Sequence, residues 1–222
     1  MMYTWDALTI TGYEHKPVPN TFIRQQDETS HAAIILPGLG YTAQMPLLYY
    51  IGELLLAQGA DVLQVNYNYI DAFRGLDKTV QHQWLAADSD AAYRALVAQR
   101  PYTRLTLAGK SLGTLAMAHL LTTQTLPVHT SALWLTPVLT NPAVREQIAA
   151  FPGPSLVVIG TADSFYDPGL LAAIGETATR RFAIIEGANH GMSVNNDVFH
   201  SLKALEQVLH AVADFLNGVS EL

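Results

Sequence analysis

Short, nearly continuous apolar runs recur along this chain and limit what it can fold into. They are Ala32-Ala33-Ile34-Ile35-Leu36, Val62-Leu63-Gln64-Val65, Leu105-Thr106-Leu107-Ala108, Ala132-Leu133-Trp134-Leu135 and Leu156-Val157-Val158-Ile159. A strand with one wet face would alternate apolar with polar residues; these runs do not, so they read as strands covered on both faces. Such strands belong in a parallel sheet, whose neighbours must be joined by crossovers. The intervening segments have the spacing that crossover helices require: Leu47, Leu48, Ile51, Leu54 and Leu55; Trp84, Leu85, Ala91, Ala92, Ala95 and Leu96; an apolar-rich stretch from Leu112 to Leu121; and Phe199, Leu202, Leu205, Leu209, Val212 and Leu216. Strand and helix alternate throughout, which predicts a doubly wound α/β fold with helices on both faces of a mostly parallel sheet. The first thirty residues differ. Tyr3 to Ile10 and Thr21 to Gln26 read as extended segments separated by Gly12 and Pro17-Val18-Pro19, and are expected to form antiparallel strands at one edge. No internal repeat, low-complexity tract or linker divides the chain, so one domain over residues 1–222 is expected.

Charged residues make up only 14% of the chain and the formal net charge is -7. The basic surplus that a phosphate backbone or an anionic membrane requires is missing, so neither nucleic acid nor membrane is an expected partner. With no cysteine, disulfides, thiolate metal sites and cysteine nucleophiles are excluded together. The stretch Met1-Met2-Tyr3-Thr4-Trp5-Asp6 has no basic segment leading into an apolar core, and no apolar run approaches bilayer length. A cytoplasmic protein acting on a small molecule is the expectation, and oligomeric state is not legible.

Chemistry concentrates at Gly109-Lys110-Ser111-Leu112-Gly113, between a predicted strand and a predicted helix. A strand turning at once into a helix brings the residues two before and two after the turn into contact, so both must be small. The serine at the apex takes a strained backbone and presents its hydroxyl outward. Serine is a poor nucleophile until a histidine accepts its proton and a carboxylate orients that histidine. Gly160-Thr161-Ala162-Asp163 places a carboxylate just past the strand ending at Ile159, with Asp167 as the alternative acid. Beyond a further strand, Phe182-Ala183-Ile184-Ile185, the segment Gly187-Ala188-Asn189-His190-Gly191 supplies the histidine. His119, His200 and His210 fall in predicted helices, and His15 and His31 precede the core strands, so these read as ordinary surface or packed groups. An oxyanion needs two preorganised donors. The Leu112 N–H at the start of a helix is one; the Leu39 N–H, in glycine-rich Leu36-Pro37-Gly38-Leu39-Gly40-Tyr41, is the candidate second. Lys110 reads as a surface or supporting residue, since Ser-x-x-Lys fails at Thr114. Asp88 and Asp90, two apart on a helix, read as a solvated face; Asp71, Arg74 and Asp77, in the loop after the Val62 to Val65 run, read either as a border of the pocket or, as most such charges do, as solvent-facing. No cluster has metal-ligand spacing, and Gly38-Leu39-Gly40 lacks the rest of a dinucleotide or phosphate loop; neither metal nor cofactor is expected.

These motifs, in this order, resemble the α/β-hydrolase superfamily over nearly the whole chain from Ala32 onward: Gly-Lys-Ser-Leu-Gly for the elbow, Pro-Gly-Leu-Gly for the oxyanion loop, Gly-Thr-Ala-Asp for the acid and Gly-Ala-Asn-His-Gly for the base. The chain looks most like small capless esterases and dienelactone-hydrolase-like members. Dienelactone hydrolases usually carry a cysteine nucleophile, so Ser111 points to the esterase-like branch. Many relatives have a histidine where this chain has Pro37. Family members often insert a cap after the strand that corresponds to Ala132–Leu135; here Pro137 to Pro154 has room for one short helix, Pro142 to Ala150. The resemblance implies a site open to solvent, with Tyr41, Tyr67, Tyr69, Phe165 and Tyr166 available to line an apolar cleft. It implies a serine hydrolase acting on an ester or thioester through Ser111, His190 and Asp163. The alternatives are an amidase or peptidase of the same fold and a non-catalytic ligand-binding protein.

Overall fold

The computed structural model of the chain describes residues 2–220. Its centre is a sheet of eight strands: β1 (Tyr3–Asp6), β2 (Asn20–Gln25), β3 (His31–Leu36), β4 (Asp61–Val65), β5 (Arg104–Lys110), β6 (His129–Leu135), β7 (Ser155–Gly160) and β8 (Arg180–Ile185). They lie in the order β1-β2-β4-β3-β5-β6-β7-β8. β1 pairs antiparallel with β2, and β2 with β4; from β4 through β3 to β8 every pairing is parallel. Every apolar run in the sequence forms one of these strands.

Helices α1 (Pro46–Ala57), α2 (Tyr69–Ala72), α3 (Lys78–Val97), α4 (Leu112–Thr123), α5 (Pro142–Ala150), α6 (Pro168–Ile174) and α7 (Val198–Ser220) make the crossovers and close the chain. The strands alternate their side chains between two cores, as the pleat demands. Ile35, Leu133 and Val158 pack with Leu47 and Ile51 of α1 and Val208 and Phe215 of α7. Ile34, Leu107, Trp134 and Ile159 pack on the opposite face with Leu96 of α3, Met117 of α4 and Ile148 of α5. Two-sided coverage explains the lack of polar alternation in these runs.

Strand β3 has β4 on one side and β5 on the other, so the winding direction reverses at β3. Open α/β sheets build their sites outside the carboxyl ends of strands at such a reversal. The β6–β7 connection contains α5 alone, over Pro142–Ala150 as the sequence indicates, and no cap domain covers that end. β1 is shorter than the sequence indicates and stops at Asp6. The Asp6 carboxylate accepts from Ala7 N (2.7 Å), and the Asn20 side chain pairs with both Leu8 N and Leu8 O (2.9 and 2.8 Å), so side chains replace the ladder there. Among the described residues, no helix is long and apolar enough to cross a membrane.

Candidate active site

Ser111 sits between the last residue of β5 and the first of α4, with φ 52° and ψ -113°. L-residues avoid this region unless surrounding structure imposes it. The imposing contacts come from both flanking glycines. A Cβ at Gly113 would strike the Leu36 carbonyl of β3, and one at Gly109 would stand 2.6 Å from the Gly113 carbonyl oxygen. The turn is thereby pressed against the sheet. Its apex is tied to β6 by Ser111 N donating to Leu135 O at 3.0 Å.

The structure brings Ser111, His190 and Asp163 together from three separate loops. Ser111 Oγ lies 2.8 Å from His190 Nε2, and His190 Nδ1 lies 2.8 Å from Asp163 Oδ2. An ionised carboxylate only accepts, so Nδ1 carries the proton to Asp163 and Nε2 is left to accept from the serine hydroxyl. Asp163 is 5% exposed, and its second oxygen accepts from Phe165 N at 2.9 Å. The imidazole is partly open to solvent, with the Phe165 ring edge-on against it at 5.2 Å. Asp167, the alternative acid, is exposed and caps α6 by accepting from Leu170 N at 3.0 Å. The loop bearing His190 is shaped by Asn189, whose Oδ1 accepts from Gly191 N and Ser193 N at 2.8 and 3.2 Å.

Pro37 to Tyr41 forms a tight turn beside Ser111: Tyr41 N donates to Gly38 O at 3.3 Å, and Gly40 has φ +70°. Gly38 lies so near that a Cβ there would come within 3.2 Å of Ser111 Cβ. Leu39, in the middle of this turn, is 53% exposed. Leu112 opens α4, and the first N–H groups of a helix have no partner within it.

Of the two readings of Lys110, surface or supporting, the structure takes the second: it is 2% exposed. Two sequence readings change. Tyr67 and Tyr69 do not line a cleft; they are 5% and 3% exposed and stack on each other behind the Pro37 to Tyr41 turn, 4.3 Å between centroids. Tyr67 OH donates to Pro37 O at 3.1 Å, so this stack supports the turn from below. Asp88 is likewise buried at 4% and accepts from Tyr69 OH at 2.6 Å and Tyr13 N at 2.8 Å. Burial pushes its carboxyl above the usual range, opposed by those hydrogen bonds. A signal for Asp88 was present, because Leu85, Asp88, Ala92 and Leu96 share one helix face. Asp90, on a different face, pairs with His119 at 3.0 Å, and Asp71 and Arg74 form an exposed ion pair. Among the described residues, no group of three or more histidines and carboxylates is placed to hold a metal ion.

A groove of about 790 Å³ opens between the Pro37 to Tyr41 turn and the loop after His190. Tyr41, Met45, Met192, Val194, Leu202 and Leu205 line it, and its wall continues into Gly191, the residue after His190. Its surface is predominantly apolar, with Asp197 as its acidic member.

The sequence model of a family described as alpha/beta hydrolase domain matches residues 30–217 of this chain. The fold is similar to that of an esterase from Pyrococcus furiosus, with a TM-score of 0.71 and 17% identity over 97% of this chain and 92% of that one. It is similar also to a serine hydrolase without lid from Xanthomonas campestris (TM-score 0.69, 18% identity, 98% and 95% covered). A serine hydrolase homologue from Coxiella burnetii gives a TM-score of 0.68 at 15% identity, with 96% and 98% covered. No curated protein matches the sequence significantly.

Proposed function

The chain belongs to the alpha/beta hydrolase domain family, and within it we propose a serine hydrolase that cleaves carboxylic esters or thioesters through an acyl-enzyme intermediate. The observation that carries this reading is the unbroken relay from Ser111 Oγ through His190 to Asp163, two bonds of 2.8 Å each. The esterase and serine hydrolases of similar fold lend it further support.

In this mechanism the Ser111 oxygen attacks the substrate carbonyl as its proton passes to His190 Nε2. Asp163 holds the imidazole in the productive tautomer and stabilises the imidazolium. Charge developing on the carbonyl oxygen is met by the Leu112 N–H, aided by the dipole of α4, and by the Leu39 N–H of the oxyanion turn. His190 returns the proton to the leaving alkoxide or thiolate. Water then enters and attacks the acyl carbonyl as its proton passes to His190, which hands that proton to the departing Ser111 oxygen as the acid is released. The groove beside Tyr41 and Gly191 receives the apolar portion of the substrate, and the uncapped end of the sheet admits extended groups.

A binding protein that merely kept the scaffold would have no need for nucleophile, base and acid in hydrogen-bonding register. The test is labelling by a fluorophosphonate, which phosphonylates an activated serine, read by intact mass and peptide mapping. Labelling at Ser111 that vanishes in Ser111→Ala is expected, with loss of about 10³-fold or more in ester turnover. Folded protein that takes no label would sink the reading.

A further inference from the structure

We propose, on the strength of the serine hydrolase reading, that Lys110 is the positioning residue of this site: its buried ammonium fixes the loop carrying His190 against the elbow carrying Ser111 and holds a positive charge beside Asp163. Lys110 ends β5, one residue before the nucleophile. Its Nζ donates to the carbonyl oxygen of His190 itself at 2.9 Å and to Thr136 Oγ1 at 3.2 Å. It also lies 4.4 Å from the centre of the Tyr41 ring. One atom therefore joins the elbow, the end of β6, the oxyanion turn and the histidine loop. An ammonium has three protons; two meet oxygens and the aromatic face takes the remaining charge.

Burying such a group is costly, and a methionine or leucine would fill the space without that cost. Burial pushes Lys110 down to about 8, opposed by the charge of Asp163. The titratable side chains that face it are Asp163 from the loop after β7 and Tyr41 from the loop after β3, while His190, from the loop after β8, meets it through its main-chain carbonyl. A second cost is visible at its other partner. Thr136 is fully buried with φ 43°, where a β-branched residue is strained, and what it presents from that backbone is the hydroxyl that Lys110 bonds. Ser111 and Thr136, both strained, close the ends of adjacent strands, and Lys110 spans the gap to His190.

Lys110 has no contact with the carbonyl to be attacked, so it acts through the placement of His190. A shift of the imidazole by a fraction of an ångström weakens proton transfer and leaves substrate binding alone. For Lys110→Met we expect kcat to fall at least about tenfold, with KM within about twofold and a Tm equal to or above the parent's. The kcat–pH profile of the parent should change slope near pH 8 as Lys110 loses its proton, and the Met variant should lack that change. Unchanged kcat, a loss that follows Tm or KM, or a persisting slope change would overturn the assignment.

Thr136→Ala gives an arm that does not depend on the Met variant folding. It should lower kcat by about two- to fivefold, and Thr136→Ser, which keeps the hydroxyl, should recover the loss; equal kcat in Ala, Ser and parent would overturn the assignment. Fluorophosphonate labelling of the parent separates the two levels. No label on Ser111 defeats the hydrolase reading itself, whereas a labelled Ser111 with indifferent Lys110 and Thr136 variants defeats only the role of Lys110.

Discussion

Asp163 and Asp88 are buried to nearly the same degree, 5% and 4% exposed, and each accepts hydrogen bonds on both oxygens, yet they sit in unlike surroundings. Asp88 is sealed. Its partner Tyr69 is stacked between Tyr67 and Phe73, 4.3 Å from each, and the second bond comes from the backbone of Tyr13. Asp163 instead bonds an imidazole that is partly exposed and passes on to a hydroxyl. The first set of bonds ends in groups whose protons stay put, the second in one whose proton can move. Burial of a carboxylate is thus no sign of chemistry by itself; what matters is whether its partners lead to a labile proton that a substrate can reach. The two regions also meet, because the sealed stack holds Pro37 and with it the turn beside Ser111.

The contrast is sharpest under matched substitutions. Asp163→Asn replaces an acceptor with a group that can favour the wrong imidazole tautomer, and kcat should fall by about 10³- to 10⁴-fold with little change in Tm. Ester kinetics beside a thermal melt checks it. A loss below about tenfold would mean that the Asp163–His190 bond is structural only, and the distinction between the carboxylates would collapse.

Lys110 supplies the next effect, in stability rather than rate. Its folded value lies near 8 against an ordinary 10.5. Between those values the unfolded chain holds a proton that the folded chain has released, so stability rises with pH across this window and the gain is lost as pH falls through 8. The parent should gain up to about 3 kcal/mol between pH 8 and 10.5 relative to Lys110→Met. Urea melts of both proteins across that range would show it, and parallel stability curves would refute it.

Asp88→Asn should do the reverse of Asp163→Asn. The amide nitrogen cannot accept from Tyr69 OH or Tyr13 N, so a buried donor loses its partner and stability falls by about 1–3 kcal/mol. Turnover per folded molecule should stay within about threefold of the parent. A loss of kcat by more than tenfold at full folding would place the aromatic stack in the mechanism and break the comparison from the other side.

How far the sequence revealed this arrangement depended on the range of the interaction. Strands β3 to β7 were legible because two-sided burial leaves a local mark in each run, as in Ile34 and Ile35, which face opposite cores. The Ser111 elbow was legible because steric contact forces glycine at fixed offsets. Asp163 and Asp167 both follow the same strand within a few residues, so the preference for Asp163 came from the spacing of the family the chain resembles and not from a local mark of its own. For Lys110 the sequence left surface and supporting roles undecided, since its partners at Thr136, His190 and Tyr41 come from three other segments and no local pattern distinguishes a buried lysine from an exposed one. Tyr67 and Tyr69 went astray for a related reason: an aromatic at a strand end suits a cleft wall and a buried support equally, and only the bonds to Pro37 and Asp88 decide.

The smallest expected effect tests the open end of the relay. If the groove beside Tyr41 and Gly191 takes the apolar part of the substrate, its outer wall at Leu202, 56% exposed, contributes only part of the burial of a chain laid along it. At about 25 cal/mol per Å², losing a few tens of Å² of apolar contact costs under about 1 kcal/mol, or about three- to fivefold in kcat/KM. Leu202→Asp should therefore weaken turnover of longer-chain p-nitrophenyl esters by that factor and leave the acetate unchanged, since two carbons do not reach the wall. An equal loss on all chain lengths would point to a disturbed α7 rather than a lost contact, and no loss on any would put the substrate's apolar portion elsewhere. Asp88 offers the internal control: its substitution, behind the turn and away from the groove, should shift every chain length alike.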